Sequence, residues 1–306
     1  MAKLIDLSKV PVPDIIEELN FEQLYEKNKQ MLIEIEPGYA DALQFDSDPQ
    51  AKQLQILTYR EMHLIAKVNQ ATRANILASA FGQDLDALAA NYNIERLVIS
   101  PENPATNPPT PAVLESDEAL KRRVQLAFDG LNTAGSVDGY IFHTLGADGR
   151  VLDADAYSPA PCEVVVVVLA HTETGLPTND LVIKIRNHFG LTNDGTAQLP
   201  TPSKVRPQGD RVTVQSAEII NYTIDAELNI MPGPDKQVVL AAANQALAQY
   251  QLEQRKLGAS ITLSGIYKAL HQPGVSEVTI NQPAISVNIE AHQVAYCTSA
   301  NIRVGA

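Results

Sequence analysis

Three pairs of aspartates one residue apart, Asp46/Asp48, Asp84/Asp86 and Asp153/Asp155, are the side chains best spaced to hold a hard cation. Each has a simpler reading. Asp48 precedes Pro49 and Asp84 precedes an apolar run, so both are placed to cap helices, and Asp86 falls in a first turn, where the helix dipole favours negative charge. Asp153 and Asp155 flank a strand start and lack the glycine and distal glutamate of a calcium loop. The histidines at 63, 143, 171, 188, 271 and 292 stand singly, with no His-Glu-x-x-His spacing. Gly258-Ala259-Ser260 begins like a nucleophile elbow, but Thr262 stands where the second glycine is needed; a helix-to-strand turn is the plainer account. No glycine-rich phosphate loop of either common type occurs. Acid–base partners need not be neighbours in sequence, so a pair such as Glu218 and Asp225 remains open. The residues thus predict no catalytic group, no cofactor and no metal.

Charge narrows the partners. Lys and Arg total 23 against 36 Asp and Glu, a net −13 that repels phosphate backbones. The densest basic run, Lys121-Arg122-Arg123, follows Glu115, Asp117 and Glu118 and reads as a solvated helix face. Nucleic acid is not an expected partner. Copies at −13 also repel one another, so their association should strengthen at moderate salt unless basic partners neutralise the contacts. Cys162 and Cys297 form no disulfide framework, which suits a reducing cytoplasm. The start, Met1-Ala2-Lys3-Leu4-Ile5-Asp6, meets an acid before any signal-like apolar run, and Val164–Ala170 is too short to span a bilayer. Membrane insertion is not expected.

The elements come in two styles. The first third is helical: Asn20 caps Phe21 to Ile35, which Pro37-Gly38 stops, and Asp48-Pro49 opens a longer helix that Gly82 ends. Straight, that second helix would run roughly 45–50 Å. Leu54, Leu57, Leu64, Ile65, Val68, Ile76 and Leu77 return to one side of it, and a stripe that long finds no equal partner within the chain. Leu24, Leu54, Leu57, Ile65, Val68, Ile76 and Leu77 are therefore the candidate partner interface. Prolines 101, 104, 108, 109 and 111 make an extended spacer or a surface strap, and mark the first boundary. Helices capped by Ser116 and Ser136 follow. A valine-rich strand (163–169), a helix (180–189) and a short strand (211–214) come next; then a strand (222–230), a turn at Met231–Asp235, an Ala-rich helix (236–257), a helix (264–271) and a strand (275–280). The fold class is α+β: an N-terminal long-helix region (1–112), then two small strand-helix-strand units (113–216 and 217–306).

Several stretches, in collinear order over nearly the whole chain, resemble the baseplate J-like family of contractile-tailed bacteriophages. They are Leu7–Phe21, Asp46–Pro49 with Thr58–Glu61, Asn69–Arg73, Leu77–Ala89, Glu115–Arg123, Thr133–Ser136, Arg206-Pro207 with Asp210–Val214, and Leu263–His271 with Pro273–Val275. One departure is Pro161-Cys162-Glu163, where the family pattern has Pro-Gly-Glu; a turn needing positive φ there would put the cysteine in a glycine's place. The resemblance implies a non-enzymatic wedge component of a virion tail baseplate or tail-like injection particle, made and assembled in the host cytoplasm. It further implies a ring of copies around the central hub and spike, contacts with other wedge proteins and sheath-proximal proteins, and coupling of baseplate opening to sheath contraction. Residues 14–92 are expected to form a helical bundle with a wedge partner, and 217–306 to meet other copies. The competing readings are a receptor-binding module, which the absence of Trp disfavours, and a tail-associated hydrolase, for which no carboxylate pair or metal triad is evident.

Overall fold

In the computed structural model, which describes residues 4–13, 15–201, 203–233 and 235–305, the N-terminal helices begin at their capping side chains. Residues 1–3 of the opening stretch, Asp14 and Pro234 lie outside the described residues. Asn20 accepts from the Gln23 amide at 3.2 Å to start α1, Phe21–Ile35, and Asp48 accepts from Gln50 at 2.8 Å to start α2, Pro49–Ala74. The third helix, α3, is Gly82–Ala90. The helix α1 packs on α2 through Tyr25, Leu43, Ala51 and Leu54, flanked by Phe21, Leu32, Ile33 and Tyr39. Beside this core Asn28 donates to Thr58 at 3.2 Å and Glu61 at 2.7 Å, which satisfies the hydroxyl of a fully buried threonine.

The long helix ends earlier than its apolar pattern suggests. At 26 residues α2 spans about 39 Å, short of the 45–50 Å expected. Short polar side chains in and just after its last turn take up backbone carbonyls: Thr72 donates to Val68 O, Asn75 to Ala71 O and Ser79 to Arg73 O. Ile76 and Leu77 therefore lie in the turn after the helix, not on its stripe. Gly82, read as the stop of that helix, instead opens α3 at φ +54°, and Asp84 stands in the first turn of α3 rather than capping it.

Residues Leu4–Glu95 form one compact unit, and a second begins at Arg96. Of the two readings of the proline segment the surface strap fits: residues 101–112 are exposed throughout and do not run as an extended spacer. Strand β1, Val98–Ser100, pairs antiparallel with β2, Val113–Leu114, and Asn103 exchanges backbone bonds with Thr110 at 2.9 and 3.0 Å, so 101–112 is a closed loop. After α4, Asp117–Gln125, and α5, Val137–Ala147, come β3, Val151–Tyr157, β4, Glu163–Ala170, α6, Asn179–His188, and β5, Arg211–Ser216. Their sheet has the order β3-β4-β5, with β4 antiparallel to β3 and parallel to β5, the latter joined by the α6 crossover. Val166–Ala170 are fully buried, as a strand covered on both faces requires.

Only Ala217 separates β5 from β6, Glu218–Ile230. The Ala217 amide donates to Val168 O in β4 at 3.0 Å, and the next amide, Glu218, donates to His292 O at 3.2 Å. One continuous strand thus leaves the first sheet and becomes the centre of the second. That sheet is β7-β6-β8, where β7 is Val275–Gln282 and β8 is Gln293–Val304; α7, Lys236–Glu253, and α8, Leu263–Leu270, cover it through Ile224, Ala226, Leu228, Ala243, Leu247 and Ile266. A separate cluster, Val167, Leu169, Ala217, Leu257 and Val294, fills the seam between the sheets. The architecture is α+β, a helical N-terminal region followed by two small mixed units.

Candidate partner-binding surface

The seven apolar positions proposed as an interface are placed unequally by α1 and α2. Leu54 joins the core facing α1, while Leu24 and Ile65 are half-buried beside it. Leu57 and Val68 remain open, at 60% and 49% exposure, and Leu64 lies between them at 62%. Positions 57, 64 and 68 fall within about 40° of one another around the helix, so these three side chains form one exposed apolar line beside the buried face. Ile76 and Leu77 are half-buried in the turn beyond α2. Ile56 and Tyr59, which the stripe did not include, are also exposed and border a hollow with Phe21. Their spacing of three on a helix was the available signal.

A second feature of this unit is a groove of about 700 Å³, bounded by Ile16–Leu19 on one wall and by Ala66, Asn69, Gln70, Arg73, Ala74 and Phe81 elsewhere. Its wall is held by Asn69, which is buried on α2. The Asn69 side chain accepts from the Glu17 amide at 3.1 Å and donates to the Glu17 carbonyl at 2.7 Å, pairing with the strap as a neighbouring strand would. An exposed apolar line and a groove are features that suit docking.

The residues with chemistry are engaged elsewhere. Asp48 caps α2. Asp153 Oδ1 accepts from Arg122 at 2.7 Å and its Oδ2 from the Leu257 amide at 2.9 Å, so this buried carboxylate ties β3 to α4 and to the seam. Arg123 is buried against Glu115 at 2.7 Å. The basic run is thus not the solvated face expected: two of its three side chains turn inward to acids, on a helix whose Leu120 and Val124 are buried. Glu218 and Asp225 lie seven residues apart on β6, about 23 Å along an extended strand, and do not meet. Glu218 takes Gln293 Nε2, and Asp225 takes Arg303. His143 and His188 rings lie 6.0 Å apart, and burial pushes both imidazoles below the usual histidine range. Ser260 accepts from the Ile289 amide at 3.0 Å, and Thr262 caps α8. Among the described residues no group of three or more His, Cys, Asp and Glu is placed to hold a metal ion, and no helix is long and apolar enough to cross a membrane. Cys162 sits at φ +61°, in the left-handed region, so the turn before β4 has the backbone of a glycine without the glycine.

Comparison with known proteins gives this arrangement a context. The Baseplate J-like N-terminal domain matches residues 46–103, the Baseplate J-like central domain 132–216, and the Baseplate J-like protein C-terminal domain 222–303. A chain in the cryo-EM structure of the anti-feeding prophage baseplate, 6-fold symmetrised, aligns at a TM-score of 0.40 and 12% identity, over 62% of this chain and 44% of that one, less than half its length. Baseplate protein J of Escherichia phage P2 is 41% identical over 99% of this chain and 98% of its own length. With three successive family domains and a relative similar from end to end, the chain belongs to the baseplate J-like family.

Proposed function

We propose that this chain is a non-catalytic structural component of a contractile-tail baseplate. The observation that carries the reading is the 41% identity to Baseplate protein J of phage P2 along essentially the whole length of both chains. On this reading the chain is built in the host cytoplasm, stands in a ring around the hub beside other wedge and sheath-proximal proteins, and couples baseplate opening to contraction. The division into 1–112, 113–216 and 217–306 gives it three modules, each containing the whole of one matched range. The candidate interface, Leu24, Leu54, Leu57, Ile65, Val68, Ile76 and Leu77, belongs to the first, with its partner-facing part on the open line Leu57-Leu64-Val68.

That line is supported by a physical argument. Three exposed large apolar side chains in register on one helix lose hydration when a partner covers them, at roughly 25 cal/mol per Å². Replacing Leu57 and Val68 together by Asp should leave the circular dichroism spectrum and melting curve near those of the parent, because both side chains already face water. The same change should prevent co-purification of the chain with its baseplate neighbours from lysates making whole tails. Normal incorporation of the folded double variant would overturn the interface.

A further inference from the structure

Strand β8 is an open edge. All of its twelve residues except Thr298 pair with β6 on one side, and no strand among the described residues covers the other. Natural sheets guard such edges with lysine, proline, unpaired charge or short length. Residues 293–304 contain no Lys, Pro, Asp or Glu. Their one charge, Arg303, is held by both oxygens of Asp225 at 2.7 and 2.9 Å. The other edge of the same sheet is guarded: β7 carries Glu277 and runs into Pro283. The sole irregularity in β8 is the extra residue Thr298, after which Ser299–Val304 runs in register with Thr223–Leu228.

We propose that the segment Ser299–Arg303 pairs antiparallel with the same segment of a second copy, giving a six-stranded sheet β7-β6-β8-β8-β6-β7. The inference rests on the reading above, in which copies of this chain meet in the baseplate, and it names the surface. A second copy is the occupant because the segment is self-complementary. With a two-fold axis through Asn301, Ala300 falls opposite Ile302 and Ser299 opposite Arg303. Ala300 and Ile302 lie across from Ile224 and Ala226, on the side covered by helices, so their pairing extends the core outward. Arg303 meets a serine, not a like charge. Elsewhere two copies at −13 repel; along this strip they do not. Such an interface is isologous, the same patch on both subunits.

The test uses the full chain in baseplates isolated from whole tails. Asn301→Cys is introduced with Cys162→Gly, which removes the exposed native thiol, and Cys162→Gly alone is the reference. Directly opposed residues of an antiparallel pair lie about 4.5–5.5 Å apart at Cα, within disulfide reach. Mild oxidation should convert most of the Asn301→Cys chains to a covalent dimer of this polypeptide, at least tenfold above the reference. Ala300→Lys, an exposed position and an edge guard, should weaken self-association at least tenfold in sedimentation. Incorporation of the reference without an Asn301→Cys dimer, a cross-link to a different polypeptide, or unchanged association of Ala300→Lys each overturns the pairing. Failure of the reference chain to enter baseplates at all would instead overturn the underlying functional reading, and with it this inference.

Discussion

Replacing Asn69 by Ala should release the strap that walls the groove without melting the helices beneath it. The side chain is 4% exposed and makes two bonds to one backbone unit, Glu17 N at 3.1 Å and Glu17 O at 2.7 Å. At about 1 kcal/mol net for each neutral bond, the clamp contributes about 2 kcal/mol against local opening. Since 1.4 kcal/mol is a factor of ten, amide exchange at Glu17 should accelerate about 30-fold. The core formed by Tyr25, Leu43, Ala51 and Leu54 is untouched, so amides around Leu54–Thr58 should change less than about threefold. Asn69→Asp is a sharper control. It keeps the acceptor for Glu17 N but sets a carboxylate oxygen against Glu17 O, so it should loosen the strap at least as much as alanine. Hydrogen exchange followed by mass spectrometry on the peptides around 15–20 and 52–60 separates these effects. Equal acceleration in both peptides, or none at Glu17, would refute the clamp.

Three further outcomes follow from the second unit. Cys162→Gly should stabilise the chain by about 0.5–1 kcal/mol in urea denaturation, because a left-handed φ of +61° costs a side-chain-bearing residue about 1–2 kcal/mol, offset in part by the freedom glycine has when unfolded. Tyr140→Phe should cost about 2 kcal/mol in thermal or urea unfolding, since the buried hydroxyl donates to Asp210 at 2.7 Å and its loss strips a charged acceptor of its partner. Burial alone would raise the Asp148 carboxyl, but bonds from Arg150 and Lys184 prevail and hold it well below the usual carboxylate range. A depressed folded pKa contributes stability that is fully present above the unfolded value near 4 and is lost as pH falls toward the folded one. Asp148→Asn should therefore lower stability at pH 7 and show a smaller further loss between pH 7 and pH 3 than the parent, which paired urea titrations would reveal.

Helix starts were legible because capping is local: Asn20, Asp48, Ser116 and Ser136 each accept from an amide two or three residues on. The end of α2 was less so. Apolar residues continue to Leu77, and only the cluster Thr72, Asn75 and Ser79 signals that the backbone finds other partners first. Strand β8 left no clear pattern, since the extra residue at Thr298 shifts the alternation by one halfway along and its neighbours are small and polar. Strand β3 was legible only as a strand start at Asp153 and Asp155; that both acids lie inside it depends on Arg122 and the Leu257 amide, brought to Asp153 from distant parts of the chain. The apolar line on α2 was visible as periodicity, but its division between Leu54, covered by α1, and Leu57, left open, depends on where α1 lands, which periodicity does not encode.

The passage of one strand through both sheets has a mechanical consequence. Force applied to the C-terminal layer reaches the central one along a single covalent beam, with Ala217 as its junction and the amides of Ala217 and Glu218 held by different sheets. Such a beam resists bending in its own sheet plane, and the packing of Leu257 and Val294 against Val167 and Leu169 opposes twist about it. A load tilting one layer would carry the other with it, so whatever motion this chain undergoes is transmitted across 211–230 rather than absorbed there.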